Sequence, residues 1–199
     1  LFCLEHLHTL REAEISTFSA ALPQGGRILE IGGGTGLQAK TLAERGFSIV
    51  SIDIENSNYA NQKVFPVEAY DGTHIPYPDA SFDVVFSSNT LEHVPHLPAL
   101  QQEIRRVLKP GGFCLHALPT GAWRFWTSAA HYVEMLQRVW LSLFRSNRPV
   151  RHRLQEAMGV VRHYALPPRH GERGNVWSEI YYFSRFWWRN HFVANQFAV

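Results

Sequence analysis

The 199-residue chain has little cysteine, no long apolar run and, after residue 109, no lysine. Two cysteines, Cys3 and Cys114, are too few for a disulfide framework or a zinc cluster, so a reducing compartment is expected. No apolar run reaches the roughly 18 residues of a membrane span. No basic stretch followed by an apolar one reads as a signal peptide, and the expected location is the cytoplasm. Repeats and low-complexity tracts are also missing. Position 1 is Leu rather than Met, so the natural N-terminus is expected upstream.

What is present is enough for a core: 45% hydrophobic residues and 18% charged ones. The small net charge of +2 hides an asymmetry. Residues 1–120 hold 8 Lys and Arg against 13 Asp and Glu, a net of −5. Residues 121–199 hold 11 Arg, no Lys and 4 Glu, a net of +7, together with all six Trp and 16 of the 26 aromatic residues. The break falls at Pro119-Thr120-Gly121. It predicts a core over 1–120, an inserted cap over 121–190, and a sixth strand starting in 191–199.

Within the first part, strand-like and helix-like segments alternate. A helix is expected over 9–22, from the spacing of Leu10, Ala13, Ile15, Phe18 and Leu22. Strands are expected over 27–31, 47–53, 64–70, 82–86 and 112–118. Helices are expected over 37–45, from Ser57, and over 97–108, the last stopped by Lys109-Pro110-Gly111-Gly112. Near-continuous apolar strands separated by helices imply a doubly wound α/β fold: a mostly parallel Rossmann-like sheet with helices on both faces.

Between the first strand and its helix stands Glu30-Ile31-Gly32-Gly33-Gly34-Thr35-Gly36. Glycines let the chain turn tightly and let a ligand approach the backbone. Asp53 follows 17 residues after Gly36, at the end of the second strand, where a carboxylate can accept from ribose hydroxyls. The loop and the acid together point to a nucleotide-type ligand. A dinucleotide fingerprint needs a third glycine at position 37, which is Leu37 here. An acid before the loop suits a cationic amino group better than a pyrophosphate.

At this point the chain resembles the class I S-adenosylmethionine-dependent methyltransferases. Tyr70-Asp71-Gly72 through Ser81-Phe82-Asp83-Val84-Val85 is similar to that family's "D-A-x-x-L-P-F-x-D-x-S-F-D-V-V" segment. Leu91-Glu92-His93-Val94 resembles its "L-E-H-V" segment. Glu103 through Gly112 resembles its "E-x-x-R-V-L-K-P-G-G" segment. The resemblance covers roughly residues 25–118 and implies S-adenosyl-L-methionine as cofactor. It implies Glu30, Gly32, Gly34 and Gly36 at the methionine end, Asp53 at the ribose and Ile54 on the adenine. Asp71 and Gly72 would meet the adenine amino group, and Asn89 would lie near the amino-acid end. His93 is the candidate base, with positioning as its other role. Asn89 stands where some relatives carry a magnesium-holding acid, so no metal is expected. Asp79, Ser81, Asp83 and His116 read as structural.

After the fifth strand the resemblance fades, and the second part is expected to choose the acceptor. Ala129, Tyr132, Val133, Leu136, Val139, Trp140, Leu143 and Phe144 fall at helical spacing and predict an amphipathic helix of about 20 residues. Arg with Trp and Phe suits an interface, so 126–145 is a candidate for peripheral contact at the inner face of a membrane. The arginine-rich stretch 145–153 reads as a solvated loop or an anion contact. Pro167-Pro168-Arg169-His170-Gly171-Glu172 resembles a "P-x-H-G-E" segment of bacterial methyltransferases of glycan or lipid-linked pathways. His170, Glu172 and Glu179 are the acceptor-side candidates, with loop stabilisation as their other role. A helix ending near 187–192 should precede the sixth strand, and the family's terminal edge hairpin is expected to be incomplete.

The expected activity is methyl transfer to a small-molecule, glycan or lipid-linked acceptor, with oxygen as the first expectation for the nucleophile and nitrogen or carbon as alternatives. Without an Asn-Pro-Pro-Tyr-type motif, and with its basic residues interrupted by bulky apolar ones, the chain is not expected to act on nucleic acid. The rivals are a non-catalytic cofactor-binding subunit and a nicotinamide-dependent oxidoreductase.

Overall fold

A computed structural model describes residues 4–55 and 62–199. Its contacts divide the chain into two units, Leu1–Leu118 and Pro119–Val199.

The first unit holds helix α1 (Leu4–Ser19), strand β1 (Arg27–Ile31), helix α2 (Leu37–Glu44), and strands β2 (Ser48–Ile54), β3 (Val67–Tyr70) and β4 (Phe82–Ser88). A 3₁₀ turn (Leu91–His93), helix α3 (Leu97–Val107) and strand β5 (Leu108–Ala117) complete it. The strands form one parallel sheet in the order β3-β2-β1-β4-β5. Because side chains alternate across a strand, β1 serves two cores. Ile28 packs with Ile15 of α1, Leu42 of α2, and Val84 and Phe86 of β4. Leu29 and Ile31 point the other way and are equally buried. On α3, Leu97, Leu100, Ile104 and Val107 recur every three or four residues and are all buried. Phe18 and Phe86 meet edge to face at 5.1 Å.

The expected helix from Ser57 lies outside the described residues. Strand β5 starts earlier than its apolar run suggests, because Leu108 already pairs with Phe82. The chain then bulges through 109–112, with Gly111 at φ 82°, before Phe113 pairs with Val84. Asp83 anchors this corner: its Oδ2 accepts from the Arg27 amide and from Lys109 Nζ, each at 2.8 Å. Arg106 ties α3 to the β3–β4 connection through Glu103, Asp79 and the carbonyls of Ile75 and Tyr77.

The second unit is helical: α4 (Gly121–Phe144), α5 (Val150–His163), α6 (Glu179–Tyr182) and α7 (Arg185–Ala194). Thr120 caps α4 by accepting from the Trp123 amide, and Ser184 caps α7 from the Trp187 amide. The stretch 145–153, read as a solvated loop or an anion contact, is non-helical over 145–149 and enters α5 at Val150, right after Pro149. The sixth strand expected over 191–199 does not form. Helix α7 runs through Phe192 to Ala194, and Phe197 turns back so that its amide donates to the Phe192 carbonyl. Ring packing explains this: Phe192 lies over Trp188 at 5.7 Å and meets Phe197 at 6.2 Å, which favours a closed turn over an extended edge.

Candidate functional site

Strand order reverses between β1 and β4, with β2 and β3 to one side and β5 to the other. A crevice at the carboxyl ends of the strands is where such sheets bind ligands. The loop Gly32–Gly36 rises from β1 at this point and opens α2. Gly36, the residue before α2, has φ 78° and ψ 14°, a left-handed conformation that glycine adopts without strain. A Cβ at Gly33 would overlap the Ser51 hydroxyl and sit 2.9 Å from Glu30 Oε2. The loop therefore lies directly on the Glu30 carboxylate. Glu30 is 1% exposed and accepts from Ser51 Oγ at 2.5 Å.

Asp53 joins this loop to the next strand. Its Oδ2 accepts from the Gly34 amide at 2.9 Å and its Oδ1 from the Ile54 amide at 2.8 Å. Beside it, Ile54 is 49% exposed, an apolar surface at the strand end, and a Cβ on Gly72 would lie 3.3 Å from its Cγ2. Asp71 is exposed, and its Oδ1 accepts from the Thr73 and His74 amides, both at 2.7 Å. Those amides, His74's foremost, hold its carboxyl below the usual range. Tyr70 stands by both acids: burial first, then Asp53 and Asp71, push its hydroxyl up to about 12. Asp53, Ile54, Asp71 and Gly72 are thus brought together at the ends of β2 and β3.

Asn89 has φ 51° and leaves β4 with its amide donating to the Ala117 carbonyl at 2.9 Å. Its Nδ2 donates to Ser88 Oγ at 3.1 Å, and Ser88 donates in turn to Glu14 Oε2 at 3.0 Å. Glu14 also accepts from Gln38 Nε2 on α2 at 3.2 Å. This α1 carboxylate at the end of β4 went unmarked in the sequence. Its only signal is a polar position between Ile15 and Ala13 of an amphipathic helix. His93 closes the 3₁₀ turn after β4, half exposed, with Nε2 3.8 Å from Oε1 of the buried Glu92. His116 on β5 meets Ser87 Oγ through Nδ1 at 2.8 Å, and burial brings its pKa down to about 4. Burial likewise pushes the Cys114 thiol up to about 12, which keeps it un-ionised and a poor nucleophile.

His170, Glu172 and Glu179 lie in the second unit. Glu172 is exposed. Glu179 is fully buried, with Oε1 accepting from the His170 and Gly171 amides at 2.9 Å each and Oε2 2.8 Å from Arg124 Nε. Arg124 Nη2 also donates to the Pro168 carbonyl at 2.9 Å. Burial and these partners make Glu179 the anchor of the 167–172 loop, the loop-stabilising alternative of its sequence reading. The loop presents His170 edge-on to Trp123 at 4.7 Å.

The arrangement at the sheet offers acids at two strand ends, a backbone cradle and an apolar shoulder. It suits a ligand with an ammonium group, a vicinal diol and a flat ring. A family model described as "Methyltransferase domain" matches residues 4–164. The chain is 33% identical over 120 residues to a "Ubiquinone biosynthesis O-methyltransferase" from Paramagnetospirillum magneticum, covering 55% of this chain and 48% of that protein. It is 36% identical over 102 residues to a "27-O-demethylrifamycin SV methyltransferase" from Amycolatopsis mediterranei, covering 46% and 38%. The chain thus spans less than half the length of these curated relatives. Among solved structures it is similar to an S-adenosylmethionine-dependent methyltransferase from Mesorhizobium loti, with 27% identity, a TM-score of 0.47 and coverage of 55% and 54%.

Proposed function

The chain belongs to the class I S-adenosylmethionine-dependent methyltransferase family, and from that premise we propose that it methylates an oxygen of a small-molecule, glycan or lipid-linked acceptor. The observation behind this reading is the Gly32–Gly36 loop resting on Glu30 and tied to Asp53 at the switch point of the sheet. Bound there, S-adenosylmethionine supplies an activated methyl group on a positively charged sulfur. In this reading Glu30 balances the ammonium group, and Gly32, Gly34 and Gly36 line the methionine end. Asp53 accepts from the ribose hydroxyls, Ile54 covers one face of the adenine, Asp71 and Gly72 meet its amino group, and Asn89 orients the amino-acid end.

The chain's main contribution is alignment of donor and acceptor, which can supply about 7–11 kcal/mol of a barrier. A hydroxyl acceptor must also lose a proton. In this reading the His93 imidazole takes it, and the Glu92 carboxylate, 3.8 Å from Nε2, favours the resulting cation.

The test is transfer of a labelled methyl group from S-adenosylmethionine into cell lysate split into lipid and aqueous fractions, with Asp53→Ala as control. Label in either fraction, lost in the control, supports the reading and states the acceptor's class. Cofactor binding with no label in any fraction overturns it.

A further inference from the structure

Helices α4 and α5 form an antiparallel hairpin. Three pairs set the direction: Leu143 O with Arg153 Nη1 at 2.8 Å, Glu134 Oε1 with Tyr164 OH at 3.1 Å, and His131 Nε2 with Tyr164 O at 3.2 Å. Each helix carries an apolar stripe that the fold leaves outside. On α4, Leu136, Trp140 and Phe144 are 63%, 54% and 69% exposed. On α5, Val150, Leu154 and Met158 are 60%, 52% and 56% exposed. Both stripes step by four residues, so each stays on one side of its helix. In both helices the stripe lies roughly a third of a turn onward from the half-buried positions. These are Met135, Val139 and Ser142 on α4, and Arg153, Glu156 and Val160 on α5. In an antiparallel pair, the same offset in the same winding sense turns both stripes to the same face.

The net charge around this face is positive. Residues 133–163 hold six Arg and two Glu. The two acids are engaged within the hairpin, Glu134 with Arg138 at 2.7 Å and Glu156 with Arg148 at 2.8 Å. That leaves a positive excess, with Arg145 at the turn and the exposed Arg151 and Arg162 along the outer edge of α5. Among the described residues no helix is long and apolar enough to cross a membrane. A broad apolar face of Trp, Phe and Leu rimmed by Arg fits a surface that is apolar below and anionic above.

We propose that the α4–α5 hairpin docks on an anionic lipid bilayer, with Leu136, Trp140, Phe144, Leu154 and Met158 entering the headgroup boundary and Arg145, Arg151 and Arg162 meeting the lipid phosphates. The proposal does not depend on the acceptor's identity.

The test is co-sedimentation of the full chain with vesicles of phosphatidylcholine alone and of phosphatidylcholine with phosphatidylglycerol. Binding is expected to the anionic vesicles only, weakening as salt rises. Leu136→Glu with Trp140→Glu should abolish it, while cofactor affinity and far-UV dichroism stay unchanged. Arg151→Gln and Arg162→Gln should each weaken it about fivefold. The arginine variants carry the test even if the double variant misfolds. Absence of binding to anionic vesicles at low salt overturns the proposal. So does binding unchanged in the arginine variants. A concentration-dependent dimer without vesicle binding, lost in Trp140→Glu, overturns it in favour of a second copy as the occupant.

Discussion

The Gly34 amide and the Ile54 amide share the two oxygens of Asp53, so one carboxylate ties the loop after β1 to the end of β2. The same group is therefore a brace of the cradle and, under the proposed function, the acid offered to a ribose. Replacing Asp53 with Ala removes both functions. The expected result is loss of at least about tenfold in affinity for S-adenosylhomocysteine, from a lost charge-assisted bond alone. Titration calorimetry on Asp53→Ala checks it, with Asp79→Ala as a surface control.

The contact between Gly33 and Ser51 gives a steric counterpart. A methyl group at 33 cannot be housed without moving Ser51 off Glu30. Gly33→Ala should weaken cofactor binding, and Ser51→Gly should partly restore it in the double variant. Additive losses in the double variant would show that the two residues do not meet.

Replacing His93 tests binding apart from chemistry. As the group proposed to take the acceptor's proton, it should leave the cofactor's dissociation constant unchanged when replaced by Gln. The maximal rate should fall by a factor of about 10²–10⁴. Equal losses in cofactor affinity and rate would assign His93 to binding instead.

In the second unit, Arg124 and Glu179 form a buried pair, 5% and 0% exposed, that also holds the backbone of Pro168, His170 and Gly171. Removing one partner strands a buried charge, and Glu179→Ala should cost about 3–5 kcal/mol. Replacing both with apolar residues, Arg124→Met with Glu179→Leu, should cost less. Thermal unfolding compares the three proteins, and limited proteolysis reads the 167–172 loop directly.

Acid sensitivity should start with His116. Its folded pKa, about 4, lies below the ordinary imidazole value near 6.5. Between those values the unfolded chain binds a proton that the folded chain does not, so stability falls as pH falls, by up to about 1.4 kcal/mol per unit. Asp71, Asp83 and Glu103 have depressed carboxyl pKa values, held by backbone amides, Lys109 and Arg106 respectively. Their stabilisation is present above the unfolded value near 4 and is lost only below it. Urea unfolding at pH 7, 5.5 and 4.5 should show a slope in the wild type that His116→Gln flattens. An unchanged slope would place the titrating group elsewhere.

Strand and helix positions in the first unit were legible because local periodicity and burial agree there. The apolar run 27–31 is β1 and the 97–107 pattern is α3, since both faces of the sheet are covered and no residue has to serve two roles. The glycine loop and Asp53 were legible for the same reason, as each is a backbone requirement written in residue type. Helix α5 was missed although Val150, Leu154, Ala157 and Val161 carry the spacing. Five arginines and two histidines from 145 to 163 outweighed it. The sixth strand was misread because Phe192 and Val193 favour a strand by type, while the ring of Trp188 favours a helix by contact.

The sequence by itself determined the family, the parallel sheet and the residues at its strand ends, because these follow from spacing along one chain. Only the tertiary structure decided which partner each acid meets. It set Glu14 beside Ser88 at 3.0 Å, 74 residues apart, and closed Glu179 onto Arg124. It also turned the stripes of α4 and α5 to one face. Those outcomes depend on burial and on direction between elements, and neither is encoded in the local pattern of any one of them.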